Sequence, residues 1–281
     1  MNFFQSVMLG VIQGLTEFLP VSSSGHLVLF QRLFGLKEPE LLFDVCLHIG
    51  SLVAVIIFFR KDIWAIIVSV IRSTGLVFSS GIKLQDLYKD PDFKMAVLII
   101  AGSVPTALIG FFLQKVAERL FSSIILVGFM LIATGIVLFL TGVLIRYKSK
   151  METKEKDING FLLKDSLIIG IIQGMAIIPG ISRSGTTIAI GLFLGLDKET
   201  AARYSFLLSI PAIFGAGLLT LKDLPAEGGN PIGVILTGTL VSCIVGYFAL
   251  KFLVYIVKQG NLYLFAPYCW IVGLITLFVG W

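Results

Sequence analysis

Gln13-Gly14-Leu15-Thr16-Glu17-Phe18-Leu19-Pro20-Val21-Ser22-Ser23-Ser24-Gly25-His26 sets a carboxylate, three serine hydroxyls and an imidazole inside a chain that is otherwise almost continuously apolar. An ionised side chain or an unsatisfied backbone group in lipid costs several kcal/mol, so polar residues at this density mark a functional site. The apolar run before it, Phe3 to Leu19, is long enough for a helix, and Pro20 with the Ser-Ser-Ser-Gly run stops that helix. The next apolar piece, Leu27 to Leu36, is too short to cross a hydrocarbon core of about 30 Å at about 1.5 Å per residue. Helix, polar turn and short helix over residues 3–36 therefore predict a re-entrant hairpin, whose bare backbone must be covered by protein or water.

The stretch returns 160 residues later (173 against 13). Gly170-Ile171-Ile172-Gln173-Gly174 matches Gly10-Val11-Ile12-Gln13-Gly14, and Ile181-Ser182-Arg183-Ser184-Gly185 matches Val21-Ser22-Ser23-Ser24-Gly25. A second re-entrant hairpin is expected over residues 161–196. The copies differ where chemistry would sit: Glu17 stands against Ile177, Ser23 against Arg183 and His26 against Thr186. One tip carries an acid and an imidazole, the other a guanidinium, and only together would they make a base, hydroxyls and a fixed cation.

Composition agrees with a membrane protein. With 57% hydrophobic residues, 14% charged residues and a mean hydropathy of +0.97, a soluble fold of 281 residues would have to bury almost all it has. The net charge of +5 comes from residues in short loops rather than on one face, so no nucleic-acid partner is expected. Cys46, Cys243 and Cys269 have no metal or disulfide spacing and read as small buried hydrophobes. Met1-Asn2-Phe3-Phe4-Gln5 lacks the basic region of a cleavable signal, so the first apolar segment is expected to stay.

Between the hairpins, full spans are expected at Leu41–Phe59, Met95–Leu113 with Pro105 as a kink, and Ile124–Ile145. Ile63–Asp92, punctuated by Trp64, Arg72, Lys83 and Tyr88, suits an interfacial segment better than a crossing. Met151–Gly160 reads as a solvated linker. Spans near Ala201–Leu221, Ile232–Val257 and Leu262–Trp281 follow the second hairpin. Ser103–Phe112 also lines up with Thr239–Phe248, at an offset of 136 (239 against 103), so the repeat covers whole halves. The fold class expected is an all-α polytopic membrane protein with two repeats, 1–150 and 161–281, joined by a linker at 151–160. Three spans per repeat is an odd number, so the second repeat should be inverted. Sixteen of the 22 lysines and arginines, Lys83 among them, fall on the linker side and five on the other, among them Lys37, Lys115, Arg119 and Lys222, with Arg183 set inside. That bias puts the linker in the cytoplasm and the N-terminus outside.

Gln13 and Glu17, four residues apart, share one helix face. Glu17 reads as a metal ligand or proton acceptor, or else as a helix cap or a partner for Arg183. His26, directly after the serines, reads as an acid, base or nucleophile, while His48, between Leu47 and Ile49, reads as a helix–helix hydrogen bond. Pro179-Gly180-Ile181-Ser182-Arg183-Ser184-Gly185-Thr186-Thr187 opens a helix with backbone N–H groups, hydroxyls and an arginine, which is an anion site suited to phosphate. Capping by Ser184 would explain the serines but not an arginine at membrane depth.

Gln13–His26 resembles the first motif of the membrane-integral undecaprenyl-diphosphate phosphatases of bacteria, the bacitracin-resistance type, whose acidic part is (E/Q)xxxE. Pro179–Thr187 resembles that family's second motif, PGxSRSGxT, and the likeness runs over essentially the full length. This chain has Gln13 where many members have glutamate. The resemblance implies hydrolysis of a C55 isoprenyl diphosphate to the monophosphate and inorganic phosphate, dependence on Mg²⁺ or Ca²⁺, and a site open to the outer face of a bacterial cytoplasmic membrane. On that reading Arg183, Ser182, Ser184 and Thr187, with Ser22, Ser24, Gly25 and Gly185, bind phosphate. Glu17, helped by Gln13, holds a metal or activates the attacking group, and the nucleophile is Ser23 or His26. The expected partners are the isoprenoid diphosphate lipid and the membrane, with a homodimer left open. The rival reading is an inverted-repeat transporter or flippase for a lipid phosphate.

Overall fold

The computed structural model describes residues 1–36, 41–80, 84–151, 154–222 and 231–279. Every regular element among them is helical; the one bridge, between Lys156 and Leu196, is isolated.

Both sequence-predicted hairpins are present as helix–turn–helix units. α1 (Phe3–Phe18) opens on a reciprocal cap, in which Asn2 Oδ1 accepts the Gln5 N–H and Gln5 Oε1 accepts the Asn2 N–H, both at 2.9 Å. It ends just before Pro20, and α2 (Ser23–Leu33) starts on Ser22. α8 (Leu163–Met175) and α9 (Arg183–Phe193) repeat the plan.

α3 (Leu41–Phe58) meets α4 (Arg60–Ser80) at a 74° bend, where the apolar run gives way to Arg60-Lys61-Asp62. After the single turn α5 (Leu84–Leu87) come the long helices α6 (Pro91–Ser122), which continues past Pro105, and α7 (Ile124–Met151). α10 (Lys198–Lys222), α11 (Ile232–Lys258), a 3-10 turn at Leu262–Phe265 and α12 (Ala266–Val279) complete the chain. Six spans are expected from the sequence. Among the described residues, four helices (α6, α7, α10 and α11) are long and apolar enough to cross a membrane, or five if the bent α3–α4 pair counts as one span. Leu262–Phe278 is apolar but shorter, because its first turn is a tight 3-10 turn and Gly280-Trp281 lie outside the described residues. The charge tally is likewise incomplete, since Lys37, Lys83 and the side chains of Lys115, Arg119 and Lys222 lie outside them.

The polarity of the molecule is that of a protein in lipid. Ile100, Leu240 and Phe278 are 66%, 62% and 86% exposed, whereas Gln13, Ser51, Thr141 and Ser242 are fully buried. Such an apolar exterior around a polar interior would leave a soluble monomer with an adhesive surface.

Each hairpin packs on the opposite half of the chain. α1 lies along α11 and α8 along α6. Small residues make this possible: a Cβ on Gly14 would stand 2.8 Å from the Ser242 carbonyl oxygen, and one on Gly170 would meet the Gly102 backbone. Ser6 Oγ donates to the Val234 carbonyl (2.6 Å) and Ser166 Oγ to the Leu98 carbonyl (2.7 Å). These two bonds differ by 160 on the hairpin side (166 against 6) and by 136 on the span side (234 against 98), the offsets of the sequence repeat.

The linker is exposed and is also tied to both halves. The Lys156 N–H donates to Gly195 O (2.8 Å), the Asp197 N–H donates to Lys156 O (2.9 Å), and Lys156 Nζ pairs with Asp165 (3.3 Å). Lys94 Nζ donates to the Asn159 carbonyl (2.7 Å), so the first half holds the linker too.

Candidate active site

Ser22 and Ser182 have the same local task. Each caps its short helix by accepting the N–H three residues on, Gly25 at 3.3 Å and Gly185 at 3.1 Å. Ser182, rather than Ser184, is therefore the cap of α9. Ser22 Oγ also accepts the Gly180 N–H (3.1 Å), which fastens the first tip to the second. Ser22 sits at φ 69°, a left-handed conformation that costs a serine some strain and is held by these bonds. Thr134 on α7 secures the second tip, donating to the Gly180 carbonyl (3.0 Å) and accepting the Ser182 N–H (3.1 Å). Pro20 packs so close to Gly185 that a Cβ there would stand 2.8 Å from the proline ring.

Glu17 is the hub of this junction. Its Oε1 accepts from Arg183 Nη2 at 3.0 Å, and its Oε2 accepts from Ser23 Oγ at 2.7 Å and Gln13 Nε2 at 3.0 Å. The carboxylate is buried, the arginine nearly so, and Ser23 half-buried. An ion pair in so dry a place is strong only because every oxygen is also hydrogen-bonded. Two buried atoms here have no partner: Arg183 Nη1 and Gln13 Oε1. Arg183 Nη1 is thus a guanidinium donor with hydrogen-bonding capacity to spare, on the first residue of α9.

His26 is placed differently from Ser23. Its Nδ1 is 2.8 Å from the Ser22 carbonyl, which can only accept, so Nδ1 carries a proton. Its Nε2 is 2.8 Å from the Tyr268 hydroxyl on α12, and the two rings stack at 5.7 Å. Both ring nitrogens are thus engaged, and Glu17 is the group bonded to Ser23. The remaining hydroxyls are partly committed. Ser24 Oγ lies 3.4 Å from Ser22 Oγ, Ser182 Oγ 3.3 Å from Ser184 Oγ, and Ser184 Oγ reaches the Leu19 carbonyl at 3.5 Å. Thr187 Oγ1 donates to the Arg183 carbonyl (2.7 Å) and pairs with Ser205.

Two residues of the site were not found from the sequence. His48, read as a packing hydrogen bond, has Nδ1 2.7 Å from the Asp44 carbonyl and turns Nε2 toward Glu17 Oε2 at 3.7 Å. A signal for it exists: Asp44, His48 and Ser51, at i, i+4 and i+7, form a polar stripe on an apolar helix. Tyr268 gave none, because one tyrosine in an apolar span reads as packing.

Among the described residues no three His, Cys, Asp or Glu side chains gather as metal ligands. Near Ser23, Gln13 Oε1 is the unpartnered oxygen, while both oxygens of Glu17 already accept from the protein.

Fold and site together define a multi-pass, all-helical membrane protein whose two hairpin tips interlock around a buried carboxylate–guanidinium pair. Residues 6–275 match the family model described as bacitracin resistance protein BacA, and the chain belongs to that family. A relative from Desulforapulum autotrophicum, named undecaprenyl-diphosphatase, is 52% identical over 280 residues, covering 100% of this chain and 99% of its own. Proteins of the same name from Desulfosudis oleivorans and Methanobrevibacter smithii are 52% and 43% identical, over 100% and 98% of this chain and 99% and 97% of theirs.

Proposed function

We propose that this chain hydrolyses undecaprenyl diphosphate to undecaprenyl phosphate and inorganic phosphate, the activity given in its relatives' names. It thereby recycles the lipid carrier of cell-wall synthesis and gives the bacitracin resistance for which the family is named. The observation that carries this reading is the carboxylate of Glu17, which holds the Ser23 hydroxyl on one oxygen and the Arg183 guanidinium on the other. A nucleophile, its base and the cation for the transferred group are thus set within one hydrogen-bond shell.

In the proposed reaction the isoprenyl chain stays in lipid and the terminal phosphoryl group enters between the tips. Glu17 takes the proton from Ser23 Oγ as that oxygen attacks the terminal phosphorus. The bond from phosphorus to the bridging oxygen breaks, and undecaprenyl phosphate leaves with both bonding electrons. The bare Nη1 of Arg183 and the first-turn N–H groups of α2 and α9 meet the charge on the phosphoryl oxygens, the contribution that dominates phosphoryl transfer. Glu17 hands the Ser23 proton to the departing undecaprenyl phosphate and is a carboxylate again; water then attacks the phosphoserine, Glu17 accepts its proton, and that proton passes to Ser23 Oγ as phosphate departs. His26, tied to Ser22 and Tyr268, holds the turn that presents Ser23; as nucleophile it would first have to give up Tyr268.

The inverted repeat, with its linker in the cytoplasm, its N-terminus outside and the cleft open to the outer face of a bacterial cytoplasmic membrane, is part of this proposal. It is supported by the paired serine bonds at the repeat offsets and by the lysine and arginine bias. The named side chains all belong to one chain, so a homodimer is not required to complete the site. The test is phosphate release from farnesyl diphosphate in detergent, which an enzyme achieves and a carrier, needing two compartments, does not. Absence of release alongside lipid movement in sealed vesicles would replace the hydrolase with the transporter.

A further inference from the structure

His48, on α3, approaches the same carboxylate oxygen that holds Ser23. Its Nδ1 lies 2.7 Å from the Asp44 carbonyl, which can only accept, so Nδ1 carries the proton and in the neutral ring Nε2 is an acceptor. That acceptor stands 3.7 Å from Glu17 Oε2, which is an acceptor too. Two acceptors do not bond each other, but one water can donate a hydrogen to each. At about 2.8 Å from both, it closes an angle of about 85° with its hydrogen bonds bent by only about 10°. In the resting protein Oε2 is full, because Ser23 Oγ donates to it at 2.7 Å and Gln13 Nε2 at 3.0 Å. Once Ser23 is phosphorylated, its Oγ is an ester oxygen and donates nothing, so Oε2 regains one place. Oε2 and Nε2 thus become a seat for water at the stage when water is the reactant. Gln13 Oε1 also lacks a donor, but Gln13 is fully buried, whereas 34% of the His48 side chain is exposed.

We propose that His48 orients the attacking water in the second step, the hydrolysis of the Ser23 phosphoester. One hydrogen of that water is held by His48 Nε2, stays on the water oxygen and leaves with phosphate. The other passes to Glu17 Oε2 as the water oxygen bonds to phosphorus. The bond from phosphorus to Ser23 Oγ breaks, its electron pair goes to Oγ, and the proton on Glu17 follows. His48 takes no part in the first step, where Ser23 occupies Oε2. The inference rests on the diphosphatase reading with Ser23 as nucleophile, and the two can fail separately.

The experiment uses the full chain in detergent and farnesyl diphosphate radiolabelled at the terminal phosphorus, quenched in acid within the first turnover and after it. His48→Leu deletes the acceptor and keeps the bulk, His48→Ala is the second variant should leucine disturb the helix, and His48→Gln keeps an acceptor oxygen. In His48→Leu, farnesyl phosphate is expected in a burst equal to the enzyme and within about threefold of the wild-type rate. Label should accumulate on Ser23, and phosphate release should fall about 10²-fold. His48→Gln should release phosphate within about fivefold of wild type. Wild-type phosphate release in His48→Leu and His48→Ala overturns the inference and spares the diphosphatase reading. So does a farnesyl phosphate burst slowed as much as phosphate release with no label on Ser23, the result of a purely structural or electrostatic role. A His48→Gln protein as slow as His48→Leu has the same consequence. A wild-type protein that forms neither farnesyl phosphate nor phosphate overturns both.

Discussion

The two hairpin tips are copies in backbone and opposites in charge. Ser22 and Ser182 cap equivalent helices, Gly25 and Gly185 receive the caps, and Ser6 and Ser166 anchor equivalent helices to equivalent spans. Yet Glu17 is replaced by Ile177, and Arg183 stands where the first tip has Ser23. Gln13 reaches Glu17, while its counterpart Gln173 donates to Thr106 and to the Leu208 carbonyl, both at 3.3 Å. The two tips share a local plan, and the acid stands on one while the cation that pairs with it stands on the other. A buried acid needs a buried cation, and two identical tips could not provide both.

That contrast sets an order of expected effects. Removing either charge is the largest: Arg183→Ala and Glu17→Ala should each lower kcat/KM for farnesyl diphosphate by about 10³-fold or more. Circular dichroism should show the helices retained, and wild-type turnover in either purified variant would remove that residue from the mechanism. Next comes the proposed nucleophile. Ser23→Ala should cost about 10³-fold in kcat, whereas Ser24→Ala, whose hydroxyl lies beside Ser22 rather than Glu17, should stay within about fivefold. Retention of more than a tenth of the activity in Ser23→Ala would shift the attack to His26 or to water.

Smaller effects sharpen the comparison. Tyr268→Phe keeps the ring stack on His26 and deletes one hydrogen bond worth about 1 kcal/mol, so kcat/KM should fall about fivefold with little change in melting temperature. An unchanged rate would make the dyad structural only. Last are the caps. Ser182→Ala should cost about 1 kcal/mol of stability and Ser22→Ala more, because Ser22 Oγ accepts an N–H from each tip. Ser22→Gly should lose less than Ser22→Ala, since glycine accepts the positive φ without strain. Equal losses in Ser22→Ala and Ser182→Ala would mean that the Gly180 bond joining the tips carries no weight.

Much of this site was legible along the chain. Gln13, Glu17 and Ser23 lie within one hairpin, where helix periodicity and a proline-stopped turn fix their relation, and the repeat pointed to Arg183 as the missing charge. His48 and Tyr268 escaped because their neighbours in sequence are apolar and their partners lie 31 and 242 residues away (48 against 17, 268 against 26). The linker's ties were hidden for a related reason: hydrophilic composition reports solvent exposure, but not that Lys156 would bond across to Gly195 and Asp197.

By itself the sequence determined that this protein lives in lipid, that its two halves share a plan, and that acid, hydroxyls and arginine are gathered at two broken helices. Apolarity, helix period and turn chemistry are properties of neighbouring residues, and a chain displays them openly. Only the tertiary structure decided that Glu17 would spend one oxygen on Arg183 and the other on Ser23 and Gln13. It also turned His26 to Tyr268 and His48 to the acid. Those pairings follow from how α1 seats on α11 and how the tips lock, and a carboxylate in a dry interior takes whichever donors packing brings within reach.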